Sequence, residues 1–218
     1  MNAQTERRQI AGSAGQIECA IDSPAAPAPI LGVAVLCHPH PLHGGTLDNK
    51  VVQTLARGCV QLGLRTVRFN FRGIGASEGA WDGGDGEVDD VLAVIAACRE
   101  PGLPLLLLGF SFGAAMAARA AARLPPDQGV RRLLLVGPAV ASFATPAVPA
   151  DTLVMHGEAD DVVPLAAVLD WARPQSLPIT VLPGGGHFFH GQLALLKAWL
   201  VGALAPSGLL DPSSDSPT

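Results

Sequence analysis

The sequence predicts an α/β domain whose sheet is mostly parallel and doubly wound, with about seven to eight strands. Short, continuously apolar runs recur between residues 31 and 182, and helical patterns fill several of the gaps between them. Continuous apolar runs indicate strands that are buried on both faces, as in a parallel sheet. Strands that alternate with helices place those helices on the two faces of the sheet.

The first two strands are expected to differ from the rest. The segments Arg7–Gly12 and Gln16–Ile21 alternate between apolar and polar residues, and Ser-Ala-Gly separates them. This pattern predicts an N-terminal antiparallel hairpin. A linker rich in proline and alanine then runs from Pro24 to Pro29.

The remaining elements alternate regularly along the chain. The apolar runs predicted as strands are Leu31–Cys37, Arg65–Phe71, Pro104–Gly109, Arg132–Val136, Thr152–His156 and Ile179–Leu182. The segments predicted as helices are Leu47–Leu62, Glu87–Arg99, Phe112–Leu124, Leu165–Ala172 and Phe189–Leu204. Asp48 is the expected N-cap of the first helix. Residues 1–205 are expected to form one domain, followed by a disordered tail, 206–218, rich in Pro, Ser and Asp.

Composition and charge exclude several classes of protein. The 218 residues carry 14 basic and 19 acidic side chains, a net charge of −5, and the two signs are interspersed, so no nucleic acid partner is expected. The longest uncharged stretch, Pro101–Ala118, contains two prolines and three glycines, which argues against a membrane helix. The N-terminus is too polar for a signal peptide, and the four cysteines lack the spacing of a zinc site. Free thiols and a cytoplasmic location are therefore expected.

The uncharged stretch contains a candidate nucleophile. Gly109–Phe110–Ser111–Phe112–Gly113 is a G-x-S-x-G motif between an apolar strand and an alanine-rich helix. In that context the serine lies on a sharp strand-to-helix turn, and the flanking glycines avoid collisions with the neighbouring backbone. Ser111 is thus the predicted nucleophile, and the Phe112 N–H is a predicted oxyanion donor.

A serine nucleophile needs a base, and the base needs a carboxylate. Two segments follow the last two predicted strands: His156–Pro164 (HGEADDVVP) and Pro183–His190 (PGGGHFFH). The first offers Asp160, with Asp161 as the main rival and Glu158 as a weaker one. In the second, His187 follows a triglycine loop that can carry it over the sheet edge, and it is preferred to His190, which is expected in the first turn of the last helix. His156 is interpreted as structural.

The second oxyanion donor is expected from the loop after the first apolar strand, which reads HPHPLHGG from His38 to Gly45. Proline has no N–H, so Pro39 and Pro41 are excluded, and His40 is preferred to Leu42. The three histidines of this loop have no nearby carboxylate or cysteine at ligand spacing, so no metal is expected.

These segments resemble the α/β-hydrolase superfamily, in particular small bacterial serine hydrolases related to dienelactone hydrolases. The shared motifs are CHPHPLHGGTLDNKVV, FNFRGIGASEG, GFSFG, HGEADDVVP and GGGHFF, in that order between Cys37 and Phe189. The resemblance implies an α/β-hydrolase fold and esterase-type chemistry without a cofactor, and it favours Asp160 as the acid, because HGxxDxxVP recurs in the superfamily with its fifth residue as the carboxylate. Dienelactone hydrolases use a cysteine nucleophile, from which Ser111 departs.

The other motif residues are interpreted as structural. Asn70, Arg72, Ser77 and Glu78 are expected to fix the loop after their strand, and Asp82, Asp85 and Glu87 are expected to cap the next helix. Asp89 and Asp90 are expected on a solvated helix face.

The expected substrate is a small or short-chain ester. Cap domains in this superfamily usually interrupt the connection Gly137–Ala150, which here has 14 residues and three prolines, so no cap domain is expected. Phe110, Phe188 and Phe143, with Phe112 and Phe189, are expected to supply apolar walls to an open site. The alternatives are a thioesterase or small peptidase with the same triad, or a non-catalytic binding protein on this fold.

Overall fold

An eight-stranded sheet forms the centre of the computed structural model, which describes residues 5–125 and 128–205. The strands are β1 (Glu6–Gly12), β2 (Gly15–Asp22), β3 (Gly32–Cys37), β4 (Leu64–Phe69), β5 (Leu105–Phe110), β6 (Arg132–Val136), β7 (Leu153–Gly157) and β8 (Thr180–Leu182). Their order across the sheet is β1-β2-β4-β3-β5-β6-β7-β8. The β1–β2 and β2–β4 pairs are antiparallel and all the others are parallel, which confirms the predicted hairpin and parallel sheet.

Helices cover both faces of this sheet. They are α1 (Lys50–Gln61), α2 (Asp85–Cys98), α3 (Phe112–Arg123), α4 (Leu165–Ala172) and α5 (Leu193–Leu204). Buried residues of α1 and α5 share one apolar core, and those of α2, α3 and α4 share the other. Successive residues of β3 alternate between the two cores: Val33, Val35 and Cys37 face one, and Ala34 and Leu36 face the other. This period of two buries the strand on both faces and explains its unbroken apolar sequence.

The strand order creates a crevice between β3 and β5. From β3 the chain continues to β4 on one side, whereas from β5 it continues to β6 on the other. The loops after β3 and β5 therefore diverge at the carboxyl edge of the sheet, where ligands bind in open α/β folds. The loop from His38 and the turn at Ser111 lie at this point.

The ends of two helices differ from the prediction. Asn49, and not Asp48, is the N-cap of α1: its side-chain oxygen accepts hydrogen bonds from the N–H groups of Val51 (2.9 Å) and Val52 (3.4 Å). The last helix begins at Leu193, four residues later than predicted. Phe189 has a φ of +51°, in the left-handed region, which is incompatible with a right-handed helix through that residue.

Asp90 lies in the core, and the expectation of a solvated position is wrong for this residue. Its carboxylate is fully buried. It accepts hydrogen bonds from three groups of Arg72: the backbone N–H (2.9 Å), side-chain Nε (3.1 Å) and side-chain Nη2 (2.8 Å). Asp89, its neighbour, is partly exposed and pairs with Arg123 at the surface. Arg72 therefore ties the chain after β4 to α2 through a buried ion pair.

The connection between β6 and β7 contains no helix or strand, in agreement with the predicted absence of a cap domain. No helix within the described residues has both the length and the apolar character needed to cross a bilayer. The proposed tail, 206–218, lies outside the described residues.

Candidate active site

Ser111 lies on a strained turn between β5 and α3. Its φ of +56° and ψ of −118° are unusual for a residue with a side chain. The turn is held by hydrogen bonds from the Ser111 N–H to the Val136 carbonyl (2.9 Å) and from the Ala139 N–H to the Ser111 carbonyl (3.2 Å). A Cβ at Gly109 would collide with the backbone of Gly113. The backbone here is close enough to require glycine, as the motif predicts.

The Ser111 hydroxyl is the first member of a buried hydrogen-bonded chain. Ser111 Oγ lies 3.0 Å from His187 Nε2, and His187 Nδ1 lies 2.7 Å from Asp160 Oδ2. A carboxylate can only accept, so Nδ1 carries the imidazole proton and Nε2 is free to accept the proton of Ser111. The structure thus brings together the serine, histidine and aspartate that the sequence singles out.

Asp160 is held as a carboxylate. Burial raises its pKa, but hydrogen bonds from His187 and from the N–H groups of Val163 (2.8 Å) and Val162 (3.0 Å) outweigh this effect and keep the pKa below its ordinary value. Of its rivals, Asp161 is exposed, and Glu158 accepts a hydrogen bond from the Gly184 N–H at 2.9 Å.

The acid loop and the histidine loop support each other. The Glu158 N–H donates to the Leu182 carbonyl (3.0 Å), and the Ala159 N–H donates to the Gly185 carbonyl (2.9 Å). A Cβ at Gly157 would collide with the Gly185 backbone, so the close approach of the two loops requires glycine at this position. These contacts fix the position of Asp160 relative to His187.

The other two histidines of these segments do not occupy the position of the base. His156 is fully buried; its Nε2–H donates to the Val163 carbonyl at 2.9 Å and lies 3.5 Å from Asp160 Oδ2. Burial lowers its pKa, which keeps the ring neutral beside the acid loop, as expected of a structural residue. His190 is exposed and precedes α5, instead of lying in its first turn.

His38 anchors the loop after β3 and sets the direction of one of its backbone N–H groups. His38 is fully buried; its Nδ1–H donates to the Pro39 carbonyl (2.6 Å), and its Nε2 accepts from the Phe71 N–H (3.1 Å). The carbonyl and the N–H of a trans peptide point in opposite directions. Because His38 binds the Pro39 carbonyl, the His40 N–H of the same peptide points the other way.

Leu42 is less suited to donate to a substrate than His40. The Leu42 N–H already donates to His40 Nδ1 at 3.2 Å, where it stabilises the short turn that follows. Phe112 is the first residue of α3, where N–H groups have no partner within the helix. The N–H groups of Phe112 and His40 thus remain as the candidate oxyanion donors.

Of the five phenylalanines predicted as apolar walls, only Phe188 and Phe143 are accessible at the surface. Phe188 is 43% exposed, and its ring centroid lies 5.0 Å from that of His187. Phe143 is half-buried and packs on Phe112 at 4.8 Å. Phe110, Phe112 and Phe189 are fully buried, so their side chains do not line an open pocket; the Phe110 ring instead supports His187 at 5.0 Å.

Sequence reasoning missed that Trp81 lies beside the site and that His38 holds the loop after β3 in place. Trp81 packs on Phe112 at 5.2 Å and on His40 at 4.7 Å, although it follows β4 in a loop that the motifs did not link to the site. An isolated tryptophan in a glycine-rich, polar segment was the available signal.

Known proteins agree with this architecture. A family model described as serine aminopeptidase, S33 (Hydrolase_4) matches residues 35–150. A serine hydrolase without a lid from Xanthomonas campestris is 36% identical, with a TM-score of 0.83 over 94% of this chain and 95% of that one. An α/β serine hydrolase homologue from Coxiella burnetii is 41% identical, with a TM-score of 0.78 over 91% and 97% of the two chains.

A curated relative also spans most of the chain. It is an uncharacterized protein of Rickettsia prowazekii, 33% identical over 182 residues that cover 76% of this chain and 75% of the relative. The chain therefore belongs to the serine aminopeptidase S33 family of the α/β-hydrolase superfamily, and it is a serine hydrolase without a lid.

Proposed function

We propose that this serine hydrolase is a carboxylesterase that cleaves small or short-chain esters through Ser111, His187 and Asp160. The observation that carries the proposal is the pair of hydrogen bonds that joins these side chains, at 3.0 Å and 2.7 Å, at the carboxyl edge of the sheet. The spacing and direction of the two bonds are those that a serine nucleophile, its general base and the orienting acid require.

Acylation begins at the Ser111 hydroxyl. His187 Nε2 takes the hydroxyl proton as Oγ attacks the ester carbonyl carbon, and the carbonyl oxygen becomes an oxyanion. Asp160 accepts from Nδ1–H throughout, which holds the tautomer and stabilises the positive charge that develops on the imidazole. His187 then gives its proton to the alcohol oxygen as the carbon–oxygen bond breaks.

The developing oxyanion is bound by backbone donors. The Phe112 N–H lies at the start of α3, where the helix dipole also favours negative charge. The His40 N–H approaches from the other side of the crevice between β3 and β5. Donors fixed in the fold before the reaction stabilise the transition state without reorganisation.

Deacylation repeats the steps with water. His187 Nε2 takes a proton from a water molecule, whose oxygen attacks the acyl carbon, and the collapsing intermediate returns Oγ to Ser111 with the proton. The products are a carboxylic acid and an alcohol, and no cofactor enters the reaction.

The open site favours small substrates. The connection between β6 and β7 is too short to carry a helical lid, and Phe188 supplies an exposed apolar wall beside His187. A substrate chain bound in this open site remains partly in water, so longer chains gain little additional burial.

Hydrolysis of p-nitrophenyl acetate and butyrate tests the proposal. Wild-type protein should hydrolyse both and react with a fluorophosphonate probe, whereas Ser111→Ala should do neither. Ser23→Ala is the matched control, because Ser23 follows β2 at the opposite edge of the sheet. Wild-type turnover equal to the Ser111→Ala background would reject the esterase.

The family description favours an aminopeptidase as the second candidate. Such an enzyme binds the substrate α-ammonium with a carboxylate, whereas the side chains that pack around Phe112 include the uncharged rings of Trp81 and Phe143. If alanine p-nitroanilide were hydrolysed with a higher kcat/KM than p-nitrophenyl butyrate, the aminopeptidase would be preferred to the esterase.

A further inference from the structure

Five rings meet beside the nucleophile and form what we term the ring cluster. Its members are His40, His43, Trp81, Phe112 and Phe143. The His40 ring contacts all the others: it stacks on His43 at 4.3 Å, and its centroid lies 4.7 Å from Trp81, 5.2 Å from Phe112 and 5.6 Å from Phe143. Three loops, after β3, β4 and β6, and the start of α3 supply these residues.

The ring cluster has a buried base and an accessible rim. Phe112 is fully buried, whereas His40, Trp81 and Phe143 are half-buried and His43 is exposed. The rim rings therefore leave part of their surface free at the carboxyl edge of the sheet.

The rings of the ring cluster are different from those that pack on His187. The leaving alcohol must lie at His187 Nε2 to receive its proton, and the His187 ring packs against Phe110 and Phe188. The ring cluster instead surrounds Phe112, whose N–H is a proposed oxyanion donor. With the oxyanion bound there and the alcohol at His187, the acyl group extends away from His187.

The His40 ring, at the centre of the ring cluster, is uncharged. Nδ1 of His40 accepts the Leu42 N–H, so its proton is on Nε2. Burial, together with the neighbouring His43, keeps the pKa of His40 below its ordinary value, and the ring is neutral at pH 7. An acyl group with a charged end would lose hydration here without gaining a partner.

We propose that the ring cluster binds a planar aromatic ring in the acyl group of the substrate, so that the natural esters are arylalkanoyl or related aromatic acyl esters. The proposal rests on the esterase function proposed above and names its substrate class. An aromatic acyl ring can pack edge-to-face or offset-stacked on Trp81 and His40, a gain that a saturated ring of the same size does not obtain.

Two esters isolate this contact. p-Nitrophenyl 3-phenylpropionate and p-nitrophenyl 3-cyclohexylpropionate share the leaving group, and in both the ring is separated from the carbonyl by two methylenes, so their intrinsic reactivities match. The cyclohexyl ring is at least as hydrophobic as phenyl, so burial alone favours the saturated ester. Ring–ring contact should reverse this order and raise kcat/KM for the phenyl ester by about 3- to 10-fold.

Variants connect the preference to the ring cluster. Trp81→Leu and Phe143→Leu should each reduce the phenyl-to-cyclohexyl ratio toward 1. Trp199→Leu, the same substitution on α5, should keep the wild-type ratio, because Trp199 packs against the other core of the sheet. Fluorophosphonate labelling of each variant verifies that its nucleophile is intact.

The outcomes separate the two proposals. A wild-type ratio of 1 or below, or a ratio that Trp81→Leu and Phe143→Leu leave unchanged, would overturn the aromatic subsite while labelling and acetate hydrolysis still support the esterase. Absence of labelling would instead reject the esterase itself, and the subsite with it.

Discussion

The side chain and the backbone of His40 can be tested separately. Its ring accepts the Leu42 N–H, and its own N–H is the proposed second oxyanion donor. The φ of His40 is −51°, which is compatible with proline, so the N–H can be removed with little change of conformation. We expect His40→Pro to lower kcat for p-nitrophenyl acetate about 100-fold relative to His40→Ala, which loses the ring but keeps the N–H.

Steady-state kinetics of the two variants side by side measure this difference. If His40→Pro and His40→Ala have the same kcat, the donor is not the His40 N–H. Circular dichroism of both proteins verifies that the loop substitution leaves the fold intact.

Asp160 and Asp161 are adjacent, but only Asp160 contacts His187. In Asp160→Asn an amide replaces the carboxylate that holds the Nδ1 proton and stabilises the imidazolium. We expect kcat for p-nitrophenyl butyrate to fall by about 10³-fold or more. Asp161→Asn, at an exposed position, should retain wild-type kcat, and a comparable loss in both variants would refute the assignment.

The packing of the chain after β4 against α2 depends on the buried ion pair of Arg72 and Asp90. Asp90→Ala leaves the guanidinium buried without its carboxylate and removes the acceptor of the Arg72 N–H. We expect the free energy of unfolding to fall by about 3–5 kcal/mol, measured by urea denaturation.

Asp89→Ala is the matched control for Asp90→Ala. Asp89 pairs with Arg123 at the surface, where its removal should change the free energy of unfolding by less than about 1 kcal/mol. If Asp89→Ala and Asp90→Ala lowered the free energy of unfolding equally, burial of the Asp90 pair would not account for its contribution.

For the whole molecule, the sequence predicted those features that depend on local pattern. The turn at Ser111 was predictable because strand, G-x-S-x-G motif and helix are contiguous, and the central strands, such as β5, because both their faces are buried. The burial of Asp90 was not, because it depends on Arg72, eighteen residues away and in another element. The start of α5 was missed because no sequence signal marks the positive φ of Phe189.

The ring cluster required the complete fold. His40, Trp81 and Phe143 belong to three loops whose proximity follows from the order β4-β3-β5-β6, and strand order is not encoded in the local pattern. Each of these residues alone looks like an ordinary loop or core aromatic.

Buried histidines make the stability of the whole molecule depend on pH. Burial lowers the pKa of His38 from 6.5 to about 4. Between these values the unfolded chain binds a proton that the folded protein excludes, so stability falls as pH decreases from about 6.5 to about 4 and this loss levels off below. The difference in pKa corresponds to about 3 kcal/mol of free energy of unfolding.

His38→Asn isolates this contribution. Asparagine does not titrate and can still donate to the Pro39 carbonyl, but the Phe71 N–H loses its acceptor, so the variant should be about 1–3 kcal/mol less stable at pH 7. Urea denaturation at a series of pH values should show the difference between wild type and variant shrinking from pH 7 to pH 4. His190→Asn, at an exposed position, should follow the wild-type curve. Parallel curves for wild type and His38→Asn would mean that the unfolded chain and the folded protein protonate His38 equally, and that its burial does not carry the pH dependence.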